Sequence, residues 1–373
     1  MIRPWLQISR GRTPRQAHVD LDGLKEDELG RSGFTGRVAN LYRRNDPTAW
    51  SRIEGDVRLW DVALHEMAPT DLADPRGAPI LAFFNQDVHI SVSRRAAPMP
   101  FFLRNADADE LHFVHRGTGR FETEFGPLDY GPGDYVKIPR ATTYRVVPAS
   151  ADQFSLVIAT VGEIDFPDYG PLGRHAPFDP TLIRIPEPAR YDAPEGPEWE
   201  VRLTRRGRTS RIFYPFHPLD VEGYKGDLFP FAMNLRDFRP VMSDRLHLPP
   251  TVHCNFEARG VQVINFLPRP FESEPGVERM PWYHRNADYD ELVFIHGGDF
   301  LGRPLPQGRC TLSPQGLHHG VPEAVRERSR ATAKPGDRID WELVSVDCVH
   351  PLEPTPEAAA LDRSASAKRK ASS

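Results

Sequence analysis

Two histidines and a glutamate mark where this sequence could do chemistry. The segment PWYHRNADYDELVFIHGG, residues 281 to 298, restates PFFLRNADADELHFVHRG, residues 100 to 117, at an offset of 181 residues. Over RNADADELHFVHRG and RNADYDELVFIHGG the copies agree at ten of fourteen positions. Both carry a glutamate, Glu110 and Glu291, but the second carries His284 where the first carries Leu103. Downstream, YGPGDYVKIPRATTYRV (130 to 146) corresponds to PQGRCTLSPQGLHHGVP (306 to 322), setting His319 against Tyr144. Only the second copy therefore gathers two imidazoles and a carboxylate, a donor set that suits a divalent metal with coordination positions left open. A lone histidine near glycine is ordinarily a satisfied strand or turn residue. Three such groups in one copy of a repeat, with the histidines missing from the other, are hard to explain that way.

The elements that must hold these groups read as strands. Period-two alternation runs through GDYVKIPRATTYRVVP (133 to 148), FSLVIATV (154 to 161), VQVINFLPRPF (261 to 271) and ELVFIHGG (291 to 298). Only 323 to 332 and the extreme C-terminus invite a helix. Proline, 38 of 373 residues, is scattered among the hydrophobic runs, which favours short strands joined by ordered turns. The expectation is an all-β chain of two related barrels. Residues 1–32 form an arm, 33–190 a first barrel without metal, 191–354 a second barrel with metal, and 355–373 a disordered tail carrying a basic KRK near its end.

The paired motifs resemble those of cupins, which fold as double-stranded β-helix (jelly-roll) barrels. The first cupin motif sets two histidines two apart and a glutamate seven after the first, and His284, Asn286 and Glu291 stand there with Gly298 at the motif's glycine. The second, P-x-G-x-x-H, is met by Pro314, Gly316 and His319. Residues an even number apart share a strand face, and the turn in ADYD can re-aim Glu291, so the three groups can converge inside one barrel. Two histidines and one carboxylate form the facial triad suited to non-heme Fe(II) and dioxygen. The first copy offers Leu103, Asn105, Glu110 and Tyr144, and a lone glutamate cannot hold a metal.

A narrower resemblance covers about Gly33 to His350. FPDYGPLG (166 to 173), VEGYKGDLFPFAMNLRDF (221 to 238), PPTVHCNFEARG (249 to 260), VINFLPRPF (263 to 271) and YHRN (283 to 286) are similar to homogentisate 1,2-dioxygenase and its bacterial bicupin relatives. The resemblance implies Fe(II) in the C-terminal barrel, held by His284, Glu291 and His319, and opening of a hydroquinone-type ring with both atoms of O2 inserted. Because the family's spacing can be one residue shorter, Asp290 competes with Glu291 for the carboxylate place. Three family positions differ: its W-H-G stands as Tyr224-Lys225-Gly226, its H-P-x-G as Ser313-Pro314-Gln315-Gly316, and a tyrosine that holds the substrate carboxylate as Phe300. These changes point away from homogentisate itself.

Lys225 and His318 are then candidate proton acceptors, and Tyr283, Asn286, Tyr224 and Phe300 candidate substrate contacts. His217 and His253 read as structural. Two other readings stay open: a bicupin oxidase, isomerase or decarboxylase acting on a small chelating substrate, and a non-enzymatic binding bicupin.

The bulk numbers agree with a small-molecule enzyme. The net charge of -5 offers no basic field for nucleic acid, and no apolar run approaches the ~20 residues that cross a bilayer. Three cysteines without C-x-x-C spacing and an N-terminus without an apolar h-region suggest free thiols in a reducing cytoplasm. The expected partners are an aromatic substrate, O2 and further copies of the chain.

Overall fold

The computed structural model describes residues 8–364 apart from 34–35, 168–177, 192–197, 246, 249, 301 and 335. Strands dominate it, and the helix expected near 323 is present as Glu323–Thr332. A seven-stranded sheet runs in the order 231–234, 134–138, 109–116, 154–160, 88–93, 80–84, 353–354, and a six-stranded one in the order 208–214, 199–205, 102–105, 143–148, 119–123, 126–130. Together they make the N-terminal barrel, whose interior joins Val114 and Val136 of one sheet to Phe121 and Tyr144 of the other. In the C-terminal barrel the large sheet runs 254–258, 261–266, 338–348, 290–300, 310–313, 60–62, and the small one 283–286, 25–30, 38–43.

Alternation explains how the barrels meet. Along Asp109–Arg116, Glu110, His112 and Val114 face their own barrel, while Leu111 and Phe113 join the main core shared with the other. Asp290–Phe300 does the same, with Glu291 and Val293 inward and Leu292 and Phe294 in the shared core. Repeat-equivalent residues therefore touch: the Phe113 and Phe294 rings lie 6.2 Å apart, and His115 Nδ1 meets His296 Nδ1 at 2.9 Å. The motif glycines are equivalent too. Gly117 and Gly298 have φ of +97° and +99°, and a Cβ on Gly298 would fall 1.9 Å from the Asp340 carbonyl oxygen, so no other residue fits there.

The halves do not divide at residue 190. The hairpin Trp199–Arg205/Arg208–Tyr214 pairs with 102–105, and Phe231–Asn234 pairs with 134–138, so both complete the N-terminal barrel. Reciprocally, the hairpin Lys25–Gly30/Val38–Arg43 pairs in parallel with 283–286, and Trp60–Val62 pairs with 310–313. Each half thus sends its first hairpin and next strand across to the other half's barrel.

This corrects the expected arm at 1–32, because Lys25–Gly30 is a strand carrying three buried carboxylates. Each has a partner, as burial of a polar group requires, and burial with the neighbouring Glu26 and Asp27 charges pushes Glu28 up to about 8. Glu26 takes His18 and the Asn40 amide, Asp27 takes Arg43, Arg285 and His318, and Glu28 takes the Trp282 indole. The tail is corrected in part. Residues 355–364 are ordered, with a helical turn at Pro356–Ala359 capped by Thr355 and Arg363 N–H donating to the Asp61 carbonyl, while 365–373 lie outside the described residues. Cys254, Cys310 and Cys348 are free and buried. No helix among the described residues is long and apolar enough to cross a membrane.

Candidate metal centre

His284 and His319 are brought together by backbone pairing. Each donates its N–H to the other's carbonyl, at 3.0 and 2.9 Å, and their rings lie 4.1 Å apart. Glu291 enters from the adjoining strand, between Ser313 and Asp347 in register. Its Oε2 lies 3.4 Å from His284 Nε2 and 3.7 Å from His319 Nε2. The ligand atoms of these three residues all lie within 4.8 Å of one another, the one such group of His, Cys, Asp and Glu among the described residues.

The imidazoles are oriented from behind. His319 Nδ1 donates to the Leu317 carbonyl at 2.9 Å, and His284 bonds to the Trp282 carbonyl, each two residues upstream. With Nδ1 used as donor, Nε2 turns a lone pair toward the carboxylate. His319 Nε2 is enclosed and has no hydrogen-bond partner. An enclosed acceptor facing a second acceptor and a carboxylate is an arrangement that a cation completes, so the donor set fits a metal.

Charge is polarised accordingly. Burial opposes ionisation of Glu291, but His284 and His319 outweigh it and hold the carboxyl below its ordinary range. Burial and the neighbouring His319 push His284 down. For His319, burial pulls the same way but Glu291 outweighs it, so the ring is pushed up. Behind Glu291, burial and that carboxylate drive Asp347 well above its usual value, with Ser345 Oγ donating to it at 2.7 Å.

The three groups open into a cavity of ≈1040 Å³. Trp50, Trp60, Phe266 and Trp341 give it aromatic walls, and Ser313, His247, His253, Arg269 and Glu272 add polar groups. Asp290 is not among the walls. Its carboxylate accepts the backbone N–H of Gln315 at 2.9 Å and of Leu352 at 2.7 Å, so Glu291 holds the carboxylate place.

Most other expected site residues lie elsewhere. His318 does not line the cavity that His319 enters, and its Nε2 meets Asp27 at 3.1 Å. Tyr283 alternates with His284 along its strand: its hydroxyl donates to Glu323 at 2.8 Å and its ring lies under Arg326. Tyr224 is tied to the N-terminal half, where its hydroxyl donates to the Pro186 carbonyl at 2.6 Å and its ring meets Phe125, and Lys225 is exposed beside it. Phe300 packs with Phe271, Met280 and Ile339 outside the cavity. Asn286 shares the His284 face and is buried with Nδ2 unpartnered, but it does not line the cavity. His217 is packing, stacked on Tyr191 and edge-on to Trp199.

What the sequence reading missed is the cavity wall. His253 lines it, and so does a His247–Glu272 pair at 2.7 Å. Neither belongs to a repeat motif. The pairing of 247 with 272 depends on loop closure that no local spacing announces.

Two barrels from one repeat, with a two-histidine, one-carboxylate cluster in one of them, define a bicupin with a single candidate metal centre. The family description "Homogentisate 1,2-dioxygenase N-terminal" matches residues 82–235. A Saccharolobus solfataricus protein named "putative dioxygenase" is 30% identical over 341 residues, covering 86% of this chain and 88% of that protein. Homogentisate 1,2-dioxygenase of Nitrobacter hamburgensis is 28% identical over 370 residues, covering 88% and 81%. The chain belongs to the homogentisate-dioxygenase-like family. Among solved structures it is similar to a cupin 2 conserved barrel domain protein from Leptotrichia buccalis, at 11% identity and a TM-score of 0.31 over 80% of this chain and 92% of that one.

Proposed function

We propose that the protein is an Fe(II)-dependent ring-cleaving dioxygenase acting on a hydroquinone-type or related phenolic substrate. The observation that carries this reading is the enclosed, unpartnered Nε2 of His319, which faces Glu291 and His284 at the wall of a large aromatic cavity. Iron(II) held by His284, Glu291 and His319 would supply open positions for substrate oxygens and dioxygen together.

The chain's own residues do the rest. The Trp282 and Leu317 carbonyls fix the imidazoles, so their lone pairs need no reorientation when substrate arrives. The tryptophan and phenylalanine walls hold a ring and exclude water. Phenol ionisation needs a nearby proton acceptor, and the expected Lys225 and His318 stand outside the cavity. Glu272 takes that role in this reading: its Oε1 meets His247 Nδ1 at 2.7 Å, its Oε2 is enclosed without a hydrogen-bond partner, and His247 is fixed at the cavity wall by donating its Nε2–H to the Glu278 carbonyl at 2.9 Å.

The test is oxygen uptake by Fe(II)-loaded protein against a panel of hydroquinones and catechols. Consumption of one O2 per ring lost, abolished in His319→Ala, is expected. Turnover without oxygen uptake would overturn the reading in favour of a decarboxylase or isomerase. An iron-loaded protein that binds these phenols and transforms none would favour a binding protein.

A further inference from the structure

One wall of the cavity carries a charge that the metal chemistry leaves unused. Arg269 sits on Arg269–Pro270, a two-residue strand paired with Ile339 and Arg338. It is 8% exposed, and its Nη1 is enclosed without a hydrogen-bond partner. Its guanidinium carbon lies 5.9 Å from the Trp341 ring centroid. Among the described residues no carboxylate comes within ion-pair reach of it. Glu272 pulls its affinity for the proton upward against burial, but the Glu272 Oε1 is committed to His247. His253, driven down to about 3 by burial and the arginine's charge, stands by as a neutral imidazole.

A buried guanidinium with an open hydrogen-bonding edge in a ligand cavity is an unfinished anion site, because desolvating it without a partner is costly. The missing anion is a carboxylate, not a phosphate. A planar fork matches a carboxylate's two oxygens, whereas one guanidinium beside an acidic neighbour cannot balance a dianion.

Arg269 lines the same cavity as His284, Glu291 and His319.

We propose that Arg269 anchors a carboxylate on the substrate whose phenolic ring meets the metal centre. The ring end of this assignment rests on the dioxygenase reading; the anion end does not.

The experiment separates the two. Calorimetric titration of metal-free protein with phenylbutanoate and its neutral isostere phenylbutanamide needs neither iron nor turnover. The acid is expected to bind about tenfold or more tightly than the amide, and Arg269→Gln to remove that preference. Arg269→Lys keeps the charge but not the fork, and is expected to retain the preference at reduced affinity. No acid preference in the parent protein, or acid binding unchanged in either variant, overturns the anchor. In a second arm, dihydroxyphenyl acids and their amides are titrated anaerobically into Fe(II)-loaded protein. The acids should bind more tightly than the amides in the parent protein and not in Arg269→Gln, and equal affinities in the parent overturn the anchor. An acid preference that depends on Arg269 in a protein that consumes no oxygen would leave the anchor standing and remove the dioxygenase reading.

Discussion

The two barrels present the same carboxylate to opposite surroundings. In the N-terminal barrel Glu110 is met by donors: the Tyr144 hydroxyl, the Asn105 amide at 2.8 Å and His112 Nε2 at 3.3 Å. In the C-terminal barrel Glu291 faces two imidazole nitrogens whose partner atoms are already turned to backbone carbonyls. The backbone is the same in both, since Leu103 pairs with Tyr144 just as His284 pairs with His319. The space differs with it, ≈50 Å³ against ≈1040 Å³. One barrel surrounds its buried acid with donors from the protein, and the other leaves it facing two imidazole nitrogens. What separates the two barrels here is whether the groups around one carboxylate donate or accept.

That comparison can be broken from either side. The largest effect is expected from His319→Ala, which removes the enclosed acceptor: iron retention should fall to background and oxygen uptake with it, as read by metal analysis and an oxygen electrode. Tyr144→Phe, at the equivalent place, should leave both untouched. The next largest tests the exchanged hairpins. Asp27 is fully buried and takes Arg43 at 2.6 Å and Arg285 at 3.1 Å, so Asp27→Ala should cost about 3 kcal/mol or more in urea unfolding. In the other hairpin Val201 stands at the corresponding place, and its neighbour Arg202 is partly exposed, so Arg202→Ala should cost less.

A smaller effect would sharpen the comparison by conversion. The double variant Leu103→His, Tyr144→His places two imidazoles beside Glu110 and should bind a second, weaker equivalent of Co(II), visible in its visible-region spectrum. The smallest concerns the contact between the barrels. Burial drives His115 to about 3, with His296, Arg116 and His65 adding to the shift, and drives His296 to about 4, with Glu342 opposing and Arg236 adding to it. Their folded-state values lie below the unfolded ~6.5, so the unfolded chain binds more protons between these limits. This contribution is present in full above about 6.5 and lost as the pH falls toward 3, at ~1.4 kcal/mol per unit for each group. His115→Gln should flatten the acid limb of a stability-versus-pH curve, and an unchanged limb would contradict the assignment.

Much of this was legible in the sequence because repeats and alternation are local. The offset between RNADADEL and RNADYDEL announced two barrels, and the spacing of His284, Glu291 and His319 brought out the cluster. The uncertainty between Asp290 and Glu291 was a matter of which backbone N–H groups Asp290 finds, and those come from Gln315 and Leu352, far along the chain. The exchanged hairpins were not legible, since nothing in KEDELG says that its partner is YHRN more than 250 residues away. Motif correspondence alone points to Lys225, and Tyr224 holds that segment against the other half of the molecule.

The contrast between the barrels calls for one metal, bound in the C-terminal barrel. An anomalous-difference map at the iron edge, from crystals grown with Fe(II) under anaerobic conditions, decides it. A single peak bounded by His284 Nε2, His319 Nε2 and the Glu291 carboxylate is the predicted result, and a peak beside Glu110, or none in either barrel, would contradict it.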